Sequence, residues 1–131
     1  MSSQKERTII TDLMPDSLIA LQATLQHHIL IVKFGATWCA PCQRIKAQVN
    51  QCFVEMPRNV LCADIDIDES IDLYVGLKSK KMVKGVPTIL AFYGDTARDK
   101  WYIPDDSVSG GDAGAVASFF QRCAAKAQSL L

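Results

Sequence analysis

Two cysteines three positions apart are the residues of this chain whose chemistry is easiest to define. They lie in the run Trp38-Cys39-Ala40-Pro41-Cys42, at the start of a predicted helix. A thiol at a helix N-terminus meets free backbone N–H groups and the positive end of the helix dipole, which favour its thiolate. The second thiol, one turn further on, can close a disulfide with the first. We therefore predict that Cys39 is the attacking nucleophile and Cys42 the resolving thiol of a redox site.

The residues between the two cysteines suit the first turn of a helix. Pro41 falls in the first turn of the helix, where the missing N–H of proline leaves no hydrogen bond unmade. A Cys-x-x-Cys pair is also half of a zinc site, which would need a second pair of ligands. The other candidate ligands are scattered along the chain: Cys52, Cys62, Cys123, His27 and His28. We therefore predict no metal, and we interpret the three remaining cysteines as small core residues; a second, regulatory disulfide stays open.

Hydrophobic periodicity predicts strands that alternate with helices. Helices are expected at 15–26, about 42–56, 70–80 and 113–131, and strands at 8–10, 28–34, 60–67, 88–93 and 100–103. Asp16 or Ser17 is expected to cap the first helix. Alternating strands and helices favour an α/β domain, and the last two strands are too close in sequence for a helical crossover, so they should pair antiparallel. We predict one domain over 1–131, with a mixed central sheet flanked by helices on both faces.

Composition and charge narrow the class of protein. The chain has 131 residues, of which 49% are hydrophobic and 21% charged, with a formal net charge of zero. No net field therefore attracts nucleic acid or an anionic membrane surface, and no apolar stretch approaches the ~20 residues of a membrane helix. The odd number of cysteines and the polar first residues favour a reducing compartment. We expect a cytoplasmic monomer, although a leader removed from the sequence stays open.

Two motifs together resemble the thioredoxin family. The run Phe34-Gly35-Ala36-Thr37-Trp38-Cys39-Ala40-Pro41-Cys42 is similar to the active-site run of that family, and Gly85-Val86-Pro87-Thr88 is similar to its cis-proline loop. The resemblance spans about residues 8–129 and implies the thioredoxin fold. It also implies that Pro87 is cis and packs against the disulfide, and that Trp38, Val86 and Pro87 contact substrates. The backbone of Val86 could then pair with an extended peptide, as in β-strand addition.

Several positions depart from the pattern of that family. Ala40 stands where glycine is commonest, Gly35 stands where a second tryptophan is usual, and Ala47 stands where many members have a helix-kinking proline. The segment 94–109 is several residues longer than usual. We consider two interpretations of this segment: it extends the surface beside the Pro87 loop and selects partners, or it is an inert hairpin with Trp101 packed in the core.

A further departure concerns a charged pair. Family members commonly have a buried aspartate below the resolving cysteine and a lysine on the neighbouring strand, whereas this chain has Lys33 and Asp64 at the respective positions. A buried charge needs a partner, so we predict a Lys33–Asp64 ion pair behind Cys42. Asp64 would then accept the proton of Cys42, and Lys33 would favour its thiolate. In the alternative, one residue of register shift turns Lys33 toward solvent.

These observations lead to a functional expectation. The resemblance implies reduction of disulfide-containing protein substrates by thiol–disulfide exchange, with the Cys39–Cys42 disulfide as the redox centre and no bound cofactor. A flavoprotein electron donor of the thioredoxin-reductase type, or a low-molecular-weight thiol, would then restore the dithiol. Two alternatives stay open: a disulfide oxidase or isomerase, and a non-catalytic interaction module with a thioredoxin-like fold.

Overall fold

A five-stranded β-sheet of order β1-β3-β2-β4-β5 organises the computed structural model, which describes residues 7–131. The strands are β1 (Ile9–Ile10), β2 (Ile29–Gly35), β3 (Val60–Asp66), β4 (Thr88–Tyr93) and β5 (Asp106–Ser109). β1, β3 and β2 run parallel, whereas β4 pairs antiparallel with both β2 and β5. The predicted mixed sheet is confirmed.

In the part of the chain that the structure describes, four helices cover the two faces of this sheet. They are α1 (Pro15–Thr24), α2 (Ala40–Glu55), α3 (Ile71–Ser79) and α4 (Ala113–Ser129). Every residue of β2 is buried, as its nearly continuous apolar run predicts for a strand covered on both sides. Alternate β2 side chains enter two separate cores, one shared with α1 and α3 and the other with α2 and α4. Within residues 7–131, no helix is both long and apolar enough to cross a bilayer.

The helix N-termini follow simple chemical rules, with one correction to the sequence analysis. The side chain of Asp112 caps α4 by accepting a hydrogen bond from the Ala115 N–H at 2.8 Å. The expected caps of α1, Asp16 and Ser17, were wrong. The N-cap of α1 is Met14, which makes no side-chain capping bond, and the helix begins with Pro15. Proline has no N–H to satisfy there, so its fixed φ starts the helix without a polar cap.

The position of the last strand was also predicted wrongly. The expected strand at 100–103 is a turn, and the strand that pairs with β4 is β5. Pro104 follows this turn and cannot donate a ladder hydrogen bond, so pairing begins just after it, where the Asp105 N–H donates to the Ala91 carbonyl at 2.9 Å. The expected antiparallel pairing of the last two strands is nevertheless confirmed.

The aromatic part of the segment 94–109 lies away from the Pro87 loop. Its Trp101 carbonyl accepts a hydrogen bond from Gln22 of α1 at 2.8 Å, and the Trp101 ring packs against the core shared by α1 and α3. Only the end of the segment, at Ser109, pairs with Thr88 next to the loop. The interpretation that this segment extends the surface beside Pro87 is therefore wrong for its aromatic residues, which serve the core instead.

The Asn59 side chain joins three parts of the fold by hydrogen bonds, and replacing it tests how much these bonds stabilise the protein. Its Nδ2 group is buried and donates to the carbonyls of His27 and Ala127, each at 2.8 Å, which ties the start of β3 to the approach to β2 and to α4. We expect Asn59→Ala to lower the free energy of unfolding by roughly 1–3 kcal/mol, because two carbonyls lose a donor. Urea unfolding measures this. Asn50→Ala, at an exposed position of α2, should stay within about 0.5 kcal/mol of wild type; equal effects would contradict the prediction.

Candidate active site

The disulfide Cys39–Cys42 lies where α2 begins, just beyond the end of the central strand β2. Cys39 is the N-cap residue of α2, and its Sγ accepts a hydrogen bond from the Cys42 N–H at 3.2 Å. This is the position that the sequence predicts for the nucleophile, since the free N–H groups of the first turn face the sulfur. Both cysteines are buried, Cys39 at 5% exposure and Cys42 at 2%. Because so little of either residue is exposed, the neighbouring residues decide what can approach the sulfurs.

The loop before β4 lies against the disulfide. The Val86–Pro87 peptide bond is cis, as the resemblance implies, and the Val86 carbonyl oxygen lies 3.6 Å from Cys39 Sγ. The Pro87 carbonyl accepts a hydrogen bond from the Gly110 N–H at 2.9 Å. The loop is therefore held between the disulfide and the end of β5, with Val86 beside the predicted nucleophile.

Trp38 forms the exposed border of the site, at 66% exposure. Its indole Nε1–H donates to Asp68 Oδ2 at 2.8 Å. The Asp68 backbone N–H in turn donates to Asp66 Oδ1 at 2.9 Å. Sequence reasoning missed Asp68 as a site residue, although the signal was there: alternating aspartates run off the end of β3 at the edge of the sheet where the active-site run begins.

A pair of glycines that sequence reasoning also missed closes the other side. A Cβ atom at Gly111 would lie 3.0 Å from the Pro41 Cβ, so a side chain there would fit only if the first turn of α2 shifted by a few tenths of an ångström. Gly110, with φ of 92°, adopts the left-handed region that favours glycine. These glycines let the segment after β5 contact both Pro41 and the Pro87 loop. The GG pair after the last strand was the available signal.

The predicted Lys33–Asp64 pair is present. The two residues are register partners on β2 and β3, and Lys33 Nζ lies 3.7 Å from Asp64 Oδ1. The Lys33 side chain is 6% exposed, which excludes the alternative that it points into solvent, whereas Asp64 keeps 32% of its side-chain surface. The pair lies on the α2 side of the sheet, in a cleft that Cys42 also lines. This arrangement would let Asp64 accept the proton of Cys42 and Lys33 favour the Cys42 thiolate. Both roles stay predictions.

The remaining cysteines have environments unlike that of the disulfide. Cys62 and Cys123 are buried, and burial raises the pKa of each thiol to about 12. Cys52 is partly exposed, and desolvation with a contribution from Glu55 raises its pKa. Such thiols stay protonated near neutral pH and react slowly. Among residues 7–131, no group of three or more His, Cys, Asp or Glu side chains is arranged to hold a metal ion.

Comparisons with known proteins agree with this geometry. The family profile of thioredoxin matches residues 18–107. Thioredoxin 3 of Plasmodium falciparum is 27% identical over 133 aligned positions, which cover 97% of this chain and 67% of that protein. The chloroplastic thioredoxin-like protein CITRX of Oryza sativa subsp. indica is 34% identical over 70 positions, or 53% of this chain and 35% of that protein. The chain thus matches only about a third of the length of the rice relative.

Solved structures show the same fold. The thioredoxin of Malassezia sympodialis superposes with a TM-score of 0.66 at 19% sequence identity, covering 95% of this chain and 97% of that one. At this identity the likeness establishes the arrangement of strands and helices and nothing about substrates. It confirms the fold that the two motifs of the sequence imply.

Removing one member of the Lys33–Asp64 pair should be worse than replacing both. Each of Lys33→Met and Asp64→Leu should lower the free energy of unfolding by roughly 1–3 kcal/mol, less than the ~3–5 kcal/mol of a fully buried pair because Asp64 retains solvent contact. The double variant should recover much of that loss. Urea unfolding of all four proteins completes the cycle, and simple additivity would mean that the pair contributes no coupling. The surface pair Lys126–Asp95 is the control and should show little coupling.

Proposed function

Because the chain belongs to the thioredoxin family, we propose that it reduces disulfide bonds in other proteins through Cys39 and Cys42. Membership in this family, together with a Cys39–Cys42 disulfide, indicates thiol–disulfide redox chemistry in general. The observation that supports reduction of protein substrates is the position of Cys39 Sγ, at the N-terminus of α2 and 3.6 Å from the carbonyl of Val86 in the cis-proline loop. Cys39 Sγ therefore lies beside both the N-terminus of α2 and the backbone of Val86, with which an extended peptide can pair.

The exchange proceeds in two steps that balance atoms and electrons. The thiolate of Cys39 attacks one sulfur of the substrate disulfide, forms a mixed disulfide and expels the other substrate sulfur as a thiolate, which takes a proton from solvent. Cys42 then loses its proton and attacks Cys39 Sγ. The first substrate sulfur leaves as a thiolate and is protonated in turn. The substrate gains two electrons and two protons, and Cys39–Cys42 is left oxidised.

The residues around Cys39 supply a docking surface for this exchange. Val86 offers backbone groups to an extended substrate, as in β-strand addition. Trp38, held by its hydrogen bond to Asp68, adds an exposed aromatic surface on the other side of Cys39. An aromatic ring with one polar end suits a contact that must form and release many different peptides.

The proton of Cys42 has a nearby acceptor in our proposal. Asp64 lines the same cleft as Cys42, is paired with Lys33 and keeps contact with solvent. It can therefore receive the proton, directly or through water, and pass it on. Lys33 would hold Asp64 in place and, as a cation near Cys42, favour the thiolate that attacks.

The electron donor and the compartment belong to the same proposal. A flavoprotein of the thioredoxin-reductase type would return two electrons to the oxidised site, and no bound cofactor is needed in this chain. The three cysteines outside the site are free thiols, which suits a reducing compartment such as the cytoplasm. The rice relative carries the word chloroplastic in its name, so fractionation of the cells that make this protein must decide between these compartments.

Trapping of the mixed disulfide tests the roles of the two cysteines. Cys42→Ser should accumulate a covalent complex with an insulin chain or other protein disulfide through Cys39, because no thiol remains to resolve it. Cys39→Ser should form none through the exchange site and should not catalyse insulin reduction. Non-reducing electrophoresis and mass spectrometry identify the linkage. Wild-type protein without turnover in the insulin assay would favour a non-catalytic interaction module, and trapping by Cys39→Ser instead would reverse the two roles.

Loss of the Asp64 carboxylate should act on one step of the reaction. We expect Asp64→Asn to slow resolution of the mixed disulfide by about tenfold while leaving its formation nearly unchanged, because Cys42 loses its proton acceptor. The resolution rate of the variant should rise with pH, since hydroxide then replaces the carboxylate. Rapid-quench kinetics separate the two steps. The control is Asp72→Asn, on the exposed side of α3; equal slowing of both steps by Asp64→Asn would leave it only a structural role.

A further inference from the structure

Arg44 lies at the border of the site that Gly110 and Gly111 form. It belongs to the second turn of α2, and its side chain is exposed. A Cβ atom at Gly111 would lie 3.1 Å from Arg44 Nη2 and 3.2 Å from the Pro41 carbonyl oxygen. The guanidinium group therefore lies next to the glycine backbone and to the first turn of α2. Gly110 in turn donates to the Pro87 carbonyl, so this border continues into the cis-proline loop.

The charge of Arg44 is not used within the protein. Among residues 7–131, its guanidinium group forms no ion pair with a carboxylate and donates no hydrogen bond. The guanidinium group of Arg98, by contrast, is paired with a carboxylate. The acid nearest to Gly111 in sequence is Asp112, whose Oδ2 is engaged as the cap of α4. The N–H donors of Arg44 are therefore available to a molecule that binds at the site.

The border that Trp38 forms has the opposite charge. Asp68 accepts the hydrogen bond of the Trp38 indole, and the exposed Glu69 follows it in sequence. Within the described part of the chain, neither of these acids pairs with a cationic side chain. The chain as a whole has no net charge, so the field around Cys39 comes from local groups. It is positive at the border with Arg44 and negative at the border with Trp38.

We propose that Arg44 is a specificity-determining residue that binds the carboxylate of a glutamate or aspartate in the protein substrate. The preferred substrates are then disulfides with an acidic residue near the cysteine that Cys39 attacks. The inference rests on the proposed reduction of protein disulfides and deepens it, since it names the class of substrate that this site selects. Arg44 touches no reacting atom and acts only by binding the substrate.

The chemistry of a guanidinium group suits this role. Its planar fork matches a carboxylate through two parallel hydrogen bonds, a geometry that an ammonium group does not offer. Such a pair forms at the exposed edge of a contact, where charge adds more to specificity and to the rate of encounter than to affinity. Because an exposed pair contributes little free energy, we expect a preference of a few fold and not complete selection.

The spacing along α2 limits where the acidic residue can lie. Arg44 follows Cys39 by five positions, which at a rise of about 1.5 Å per residue corresponds to about 7.5 Å along the helix axis. An extended peptide advances ~3.3 Å per residue. A substrate that pairs with Val86 and presents its cysteine to Cys39 would therefore bring an acidic side chain to Arg44 from two or three residues away.

The test uses the Cys42→Ser protein, in which attack by Cys39 is measured alone because the mixed disulfide is not resolved. The substrates are peptides with one cysteine activated as its 2-pyridyl disulfide. In one series the two positions two and three residues before this cysteine are Glu, Gln or Lys, and in the other series the same change is made after it. The Cys39 thiolate attacks the peptide sulfur, and 2-thiopyridone leaves and takes up a proton. Its absorbance gives the rate, and mass spectrometry locates the peptide on Cys39.

In one of the two series, we expect the Glu peptide to react about threefold faster than the Gln peptide and the Lys peptide to react more slowly. Adding Arg44→Met should bring the Glu-to-Gln ratio of rates to about one, and Arg44→Glu should make the Lys peptide the fastest. About 0.5 M NaCl should lower the ratio, because exposed charges are screened. The control is Arg58→Met, which removes the same charge from an exposed position beyond the other end of α2. It should keep the original ratio.

The outcomes separate failure of this inference from failure of the proposed function. If no peptide becomes attached to Cys39, the proposed function fails. If the peptides react but Glu and Gln give equal rates in both series, or if Arg58→Met lowers the ratio as much as Arg44→Met, the inference fails and the proposed function stands. An equal change in the rates of all peptides on Arg44→Met would mean that Arg44 acts on Cys39 and not on the substrate, which would also overturn the inference.

Discussion

The burial of β2 on both faces is the constraint on which the rest of the structure depends. Seven consecutive residues of this strand are buried, so both helical layers must be in place before the strand is shielded from water. β2 lies at the centre of the sheet and pairs with β3 on one side and β4 on the other. Its carboxyl end leads directly to Cys39, the first turn of α2 and the disulfide. The active site is thus attached to the most firmly packed element of the molecule.

The burial of β2 also makes the charge of one of its residues, Lys33, energetically unfavourable unless it is paired. Lys33 sits in an otherwise apolar run, on the face covered by α2, and its charge is tolerable only with a partner. Parallel pairing in register places Asp64 opposite it. The order of the two charges matters for the site, because the residue with the lower exposure is the cation and the residue with access to water is the acid. In the proposed exchange reaction, Asp64 would be the residue that passes a proton to solvent, and Lys33 would keep a positive charge near Cys42.

The sequence predicted the features that follow from local chemistry and from neighbouring strands. The helix-capping position of Cys39 and the two-sided burial of β2 each depend on a pattern of a few residues, whereas the Lys33–Asp64 pair was predicted from the resemblance to the thioredoxin family. One error was local, since α1 begins at Pro15 and neither Asp16 nor Ser17 caps it. The other errors arose where distant contacts decide. The aromatic run around Trp101 has strand-like composition, but its contacts with α1 and the core take it out of the sheet. Asp68 became visible as a partner of Trp38 only when the end of β3 and the start of α2 were brought to one edge. The roles of the site residues in catalysis remain predictions.

The disulfide joins two sulfurs in different surroundings, and that difference divides the chemistry between them. Around Cys39 lie an exposed indole, the carbonyl of Val86 and the N-terminus of α2, which together suit a large peptide and a stable thiolate. Around Cys42 lie the buried Lys33 and its partner Asp64, which line the same cleft as Cys42. Gly35 lies beside both Lys33 and Cys42, since a Cβ atom there would be 3.6 Å from Lys33 Cε and 3.7 Å from Cys42 Sγ. A side chain at position 35 would therefore act first on the surroundings of Cys42 and of the Lys33–Asp64 pair.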